Sequence, residues 1–303
     1  MNFSLSTLRH NGHPTPVISI GERHWSLAVV APNLFGSSGR GLIEIFARWT
    51  ENEPLLAALT QQLVEADIEP LNFTGNADDF LAPIQYPSKA MFTGANYWDH
   101  VIDDMKMTNF VKADYDPIFF LKPSTSLVGS GRSVRYPAQS NQLDWEVELV
   151  VVIGKGGRKI PVEEAFSYVA GYAIGLDLSA RDWQLSSRHP KAFDLFTGKA
   201  FDDSSPYGPK IVPARFIEPG NLELKLWVNG ELKQNSSTGK MIWSIAEQIS
   251  ELSKHLTLEP GDLLFTGSPA GIGMTQGKYL KRGDHVEAEV TGLGRIAVEI
   301  MPE

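Results

Sequence analysis

Residues 144–184 read DWEVELVVVIGKGGRKIPVEEAFSYVAGYAIGLDLSARDWQ, and the order of polar and apolar residues in this stretch decides the fold. Strand alternation places Asp144, Glu146, Glu148, Val150 and Val152 on one face, and Trp145, Val147, Leu149 and Val151 on the other. Charges at alternate strand positions usually mark a solvated face. Here the same face continues into valines, so the two glutamates are expected inside the protein, where unpaired negative charge is very costly. They stand two residues apart, about 7 Å along a strand, so their side chains can converge on one cation. A second apolar run, Tyr168 to Leu176, ends in Asp177. A third carboxylate delivered at a strand end suits a hard divalent cation with oxygen ligands.

The surrounding composition narrows the chemistry. The chain has 303 residues, long enough for one large domain or a large one with a small partner. With 42% hydrophobic and 21% charged residues it reads as a soluble globular protein, and no apolar run approaches the length of a membrane span. The start, MNFSLSTLRHNGH, lacks a basic segment followed by an apolar core, so a cytoplasmic location is expected. There is no cysteine, which excludes disulfides, thiolate nucleophiles and sulfur-ligated zinc. A net charge of -9 without a basic cluster argues against a nucleic-acid partner and for a small-molecule substrate.

Working outward, Val17 to Ile20 and Trp25 to Val30 read as a hairpin around Gly21-Glu22. Leu55, Leu56, Leu59 and Leu63 predict a helix over Pro54 to Ala66. Residues 69–88 are loop-like and set the boundary between a small N-terminal α+β region, 1–88, and a main domain, 89–303. Asp99 to Met107 predicts a short helix that reads as a lid, and PIFFLKPSTSLVG, from Pro117, holds a buried-strand candidate. The segment from Ser186 to Pro213 lacks periodicity over about 28 residues, a length that in a compact domain is usually functional or disordered; its phenylalanines favour an ordered loop. Leu222 to Val228 alternate into Asn229-Gly230, a hairpin signal. An amphipathic helix follows over Ile242 to Leu256, then a strand, Asp262 to Thr266, runs into GSPAGIG, and two more strands end the chain. Many short strands with few helices and no regular strand–helix alternation predict a mainly β fold with α additions.

Other residues carry chemistry only in combination. A helix starting near Asp177 would put Arg181 and Gln184 on its own face, where an arginine beside a metal can clamp a carboxylate or simply pair with Asp182. His100, flanked by acids, has Asp103 one turn on, a spacing suited to a general base and its orienter or to a surface pair. His10 and His13 lie in a turn near the terminus and are discounted as ligands. Lys199 lies in the long loop. The turn from Thr266 to Gly271 offers amides and hydroxyls to an anion. GIGMTQGKY has the wrong spacing for a phosphate loop, and no dinucleotide fingerprint is present.

Six motifs in order, NYWDHVIDDM, DWEVELVVVIGKGG, YVAGYAIGLDLSARDWQ, GKAFDDSSPYGP, VNGELKQNSST and DLLFTGSPAGIG, closely resemble the fumarylacetoacetate hydrolase family over roughly residues 92–300. The resemblance implies that family's mixed β-sandwich roll, usually a homodimer, without an organic cofactor. It implies Mg2+ or Mn2+, with Ca2+ in some members, on Glu146, Glu148 and Asp177. His100 matches the lid histidine, and Asp103 stands where relatives usually have glutamate, one methylene longer. Lys199 matches the lysine of GKxFD, which would hold developing negative charge. Arg181, Gln184, Tyr97, Gly267 and Ser268 would line the substrate site, Ser268 replacing a frequent threonine.

The family acts on small anionic keto and diketo acids. The leading expectation is metal-dependent hydrolysis of a carbon–carbon bond in an acylpyruvate-like or fumarylacetoacetate-like 2,4-diketo acid, by water attack with a metal-stabilised enolate departing. A lyase or isomerase on the same scaffold is the alternative: oxaloacetate decarboxylase, hydroxymuconate isomerase or decarboxylase, or sugar-acid dehydratase. A non-catalytic metabolite-binding protein is the third reading.

Overall fold

A computed structural model describes residues 1–34, 40–73 and 79–302. Among these, one mixed sheet of eleven strands forms the backbone of the molecule. Its main path runs Arg23–Ser26, His13–Ile20, Ser4–His10, Ser205–Pro213, Val169–Leu176, Val147–Ile153, Leu263–Phe265, Ala90–Gly94 and Ile118–Lys122. Neighbours on this path are antiparallel, except that Leu263–Phe265 lies parallel to Ala90–Gly94. A second sheet of five strands contains the Glu223–Val228 and Glu231–Ser237 hairpin, His285–Val290, Gly294–Met301 and Ser133–Arg135. Both sheets are open, and the mainly β reading holds.

The Val147–Ile153 strand is buried at every residue because the protein packs on both of its faces. Val147, Leu149, Val151 and Ile153 enter a core with Leu224, Leu226, Val286 and Ala288 of the second sheet and Ile245, Ile249 and Leu252 of the helix Ile245–His255. That helix begins with a capping box, Ser244 and Glu247, which satisfies its first free amides. Val150 and Val152 enter a second core with Leu5, Ile18, Phe46, Leu56 and Phe265. The N-terminal strands therefore hydrogen-bond into the large sheet, through Leu5 opposite Ile211, and share a core with its centre.

Three local expectations change. The run from Trp25 leaves the strand at Ser26 and becomes the short helix Leu27–Val30. Trp25, Ser26 and Leu27 are buried in succession, which strand alternation onto one face does not allow. The helix predicted from Pro54 begins earlier, at Trp49, with Pro54 inside its first turns. The strand read as buried, Ile118–Lys122, is the last on the sheet's path, and Ile118 and Leu121 are half exposed. No helix among the described residues is long and apolar enough to cross a membrane.

Candidate active site

Glu146 and Glu148 project from the start of the central strand, and Asp177 follows the strand paired with it, its N–H donating to the Glu146 carbonyl at 2.9 Å. Oxygens of all three carboxylates lie within 4.8 Å of one another, and all three residues are buried. Around them the protein has placed cations. Lys199 Nζ donates to Glu146 Oε2 at 2.6 Å and to Asp177 Oδ2 at 2.5 Å. Lys122 Nζ donates to Asp177 Oδ1 at 2.8 Å and to the Ser204 carbonyl at 3.1 Å. Arg181 donates through Nη2 to Glu146, through Nε to Asp144 at 2.9 Å, and through Nη1 to Gln184 at 2.9 Å.

These groups test the fit of a cation. Asp144, Glu146, Glu148 and Asp177 are four buried acids facing three buried bases, Lys122, Arg181 and Lys199, which leaves negative charge in excess. The imbalance falls on Glu148. Among the described residues its carboxylate accepts one hydrogen bond, from the Gly267 N–H at 2.8 Å. Burial, then Asp177 and Glu146, push its carboxyl well above the usual range. Burial also acts upward on Glu146, but Lys199 and Arg181 outweigh it and hold that carboxyl low. Three convergent oxygen donors with uncompensated charge fit a hard divalent cation.

The helix expected from Asp177 starts four residues later, Arg181–Gln184, after a two-residue strand, Ser179–Ala180. Arg181 and Gln184 still meet, through their own hydrogen bond. Lys199 sits in a helical turn, Leu195–Lys199, capped by Asp194. Gly198 explains that turn's sequence: a Cβ there would stand 2.7 Å from the Gln184 Cα, so only glycine lets the Lys199 turn close on Arg181–Gln184. Gly267 has φ +97°, and a Cβ would meet the Asn96 Cβ at 2.7 Å. It contributes its N–H to Glu148 and is not on the cavity wall. Ser268 is on the wall and accepts from Gln234 Nε2 at 2.9 Å. Tyr97 is a correction: it lies fully buried in the core, near Glu148, and does not line the cavity.

The lid requires the other correction. His100–Asp104 forms one wide turn closed by an i→i+5 bond, Met105 N–H to the His100 carbonyl at 3.0 Å. Widening the turn brings the residue four positions on, rather than three, under the imidazole. His100 Nδ1 is 2.8 Å from Asp104 Oδ2, whereas the Asp103 residue is exposed. Asp104 also accepts from the Gly271 N–H and the Thr275 hydroxyl, both at 3.1 Å. With a carboxylate at Nδ1, that nitrogen carries the proton and Nε2 is left for the cavity. Asp99 fixes the turn from outside, accepting from Ser236, Lys240 and the His100 N–H.

His100, Asp104, Glu146, Asp177, Arg181 and Lys199 all line one cavity of about 240 Å³. A larger open cleft of about 730 Å³ beside Trp145 contains none of them, so volume alone does not mark the site. Reading the sequence missed Lys122, Asp144 and Asp104. Lys122 had a signal: it closes the apolar run IFFLK as Asp177 closes YAIGL, and a charge ending a buried run needs a partner.

A family model for the fumarylacetoacetate (FAA) hydrolase C-terminal region matches residues 89–301. The mitochondrial oxaloacetate tautomerase Fahd2a of Rattus norvegicus is 41% identical over 225 residues, 73% of this chain and 69% of its own length. Fumarylacetoacetate hydrolase from psychrophilic Exiguobacterium antarcticum superposes with a TM-score of 0.82 at 29% identity, over 99% of this chain and 100% of its own. Fumarylpyruvate hydrolase from Pseudomonas aeruginosa, solved with Mn2+ and pyruvate, gives 0.64 at 36% identity, over 72% of this chain and 91% of its own. With a family model over most of its length and a relative 41% identical over 73% of it, this chain belongs to the fumarylacetoacetate hydrolase family.

Proposed function

We propose that this protein is a divalent-cation-dependent hydrolase that cleaves a carbon–carbon bond in a small 2,4-diketo acid. The observation that carries the reading is the cavity's combination of an acid cluster short of positive charge with an imidazole tied to a carboxylate through its far nitrogen. When bound on Glu146, Glu148 and Asp177, Mg2+ or Mn2+ supplies Lewis-acid stabilisation of negative charge developing on the substrate. His100 Nε2 takes a proton from water, and Asp104 holds the ring in the tautomer that can do so. The water oxygen bonds to C4, the C3–C4 bond breaks, and its electron pair passes to C3. C3 then takes up a proton, so water and the diketo acid become a carboxylic acid and pyruvate. Arg181, Lys199 and the side-chain amide of Gln184 orient the 2-oxo acid end. A homodimer in the cytoplasm belongs to the same reading.

Tautomerisation of a keto acid is the second reading, favoured by the rat relative's name. It needs His100 to move a proton at C3 without adding water. Metal-supplemented turnover of acylpyruvates in 18O-labelled water separates the two. Hydrolysis places label in the new carboxylate, whereas a protein that accelerates enol–keto exchange of oxaloacetate and leaves every diketo acid intact is a tautomerase. Release of carbon dioxide would identify a decarboxylase.

A further inference from the structure

Resting on that reaction, we infer that the substrate is a monocarboxylate, an acylpyruvate whose acyl tail is uncharged and apolar, and not a diacid such as the relatives' names imply. The cavity's cations are the basis. Among the described residues lining it, the basic side chains are His100, Arg181 and Lys199. Each is already committed: His100 to Asp104 at 2.8 Å, Arg181 to Asp144, Glu146 and Gln184, and Lys199 to Glu146 and Asp177. These groups all belong to the lid pair or to the acid cluster, where the 2-oxo acid end is held. Arg188 and Lys191, on the neighbouring loop, do not line the cavity.

The apolar part of the wall is supplied chiefly by Met105, Ile118, Phe120, Leu185, Phe193 and Leu195. A second carboxylate set against these side chains would give up part of its hydration and gain no counter-charge from them. An alkyl or aryl tail meets the opposite situation. Met105, Ile118, Leu185 and Phe193 are 46–49% exposed, so a tail lying on them removes apolar surface from water on both sides. Ile118 and Phe120, alternate residues of the strand that ends the described sheet path, share one face and present it to the cavity.

The test separates binding from catalysis. The Mn2+-loaded protein is titrated by calorimetry with 2-oxohexanoate and with 2-oxoadipate, equal in chain length and both lacking the 4-oxo group that cleavage needs. The expected result is binding at least about tenfold tighter for 2-oxohexanoate, the direction set by the desolvated second carboxylate. Leu185→Arg and Phe193→Arg, at half-exposed loop positions, are expected to reverse or erase that order by adding the missing cation. Equal or tighter binding of 2-oxoadipate by the unmodified protein overturns the inference and leaves the proposed hydrolysis standing, as does failure of both arginine variants to shift the order. Absence of turnover on every diketo acid, with the binding order intact, overturns the reaction and supports the cavity's selectivity.

Discussion

Glu146, Glu148 and Asp177 hang from the central strands of an eleven-stranded sheet, whereas His100 and Asp104 share one wide turn held to the body by Asp99 and a small apolar cluster of Val101, Ile242 and Trp243. The two regions hold their side chains by different means. The carboxylates stand on or beside backbone fixed by ladder hydrogen bonds with cores on both faces, and only their side-chain ends depend on single contacts. The lid pair depends on a few named contacts, each of which sets where the imidazole points. Substitutions in the sheet should therefore alter which charges are present, and substitutions on the lid should alter where they are.

The largest effect is expected from Glu148→Gln. It removes one of the three proposed cation ligands while keeping the shape that accepts the Gly267 N–H. Activity on a diketo acid with Mn2+ should fall by more than the roughly 10–100-fold that loss of an outer partner costs a metal site. Calorimetry should show cation binding lost. The metal-free variant should melt no lower than the parent, because the substitution also removes a carboxylate that burial and its acidic neighbours disfavour in charged form. The same cause gives a pH dependence: a raised carboxyl takes up its proton sooner as pH falls, so apparent cation affinity should weaken towards acid. A variant that binds Mn2+ normally would remove Glu148 from the ligand set.

Next in size is the lid. His100→Ala should lower kcat by about 10²–10⁴, the range for loss of a positioned acid–base group, with cation affinity unchanged. Asp104→Asn should cost less, since the ring stays and only its orientation and charge stabilisation are weakened; its signature is a fall in kcat with KM little altered. Equal losses for the two would mean that Asp104 acts on substrate directly.

Lys122→Met joins the two regions' logic at smaller scale. Its ammonium is fully buried, and burial draws it down to about 8 despite Asp177. Methionine keeps the stem and removes the tether on Asp177, so cation affinity should fall by roughly 10–100-fold, as for other residues that orient a ligand. Unchanged affinity would leave Lys122 a charge-balancing residue only.

How much of this was legible in the sequence follows from the same division. The central strand could be read because alternation survives burial on both faces: Val147, Leu149 and Val151 enter one core, Val150 and Val152 the other, and the glutamates share the valines' side. Asp177, Arg181 and Gln184 were legible as neighbours although the helix joining them starts late, because a strand end fixes their region whatever follows. Ile118–Lys122 was misjudged because apolar residues that line a cavity read like residues that fill a core. Tyr97 was misplaced for the reverse reason, since a residue behind a ligand and one in front of it share a motif. Asp104 lay within helical reach of His100 as much as Asp103 did, and what the sequence did not show was the i→i+5 closure that turns the imidazole towards the residue four positions on.

That last miss yields the smallest and sharpest expectation. Asp103 and Asp104 are adjacent, both acidic, and both within a turn of His100, so periodicity alone cannot choose between them. The structure can. Asp104 bonds to the imidazole, to Gly271 and to Thr275, while the contact at Asp103 is made by its backbone carbonyl, which accepts from Lys106 Nζ at 2.6 Å. Asp103→Asn keeps that carbonyl and changes only an exposed side chain. Its effect on stability should stay within about 0.5 kcal/mol, as for surface substitutions that touch no special feature. Its kcat should match the parent's, in contrast to Asp104→Asn. If instead Asp103→Asn lowers kcat and Asp104→Asn does not, the turn closes at i→i+4 during catalysis, and the lid would have two arrangements of which only one is seen here.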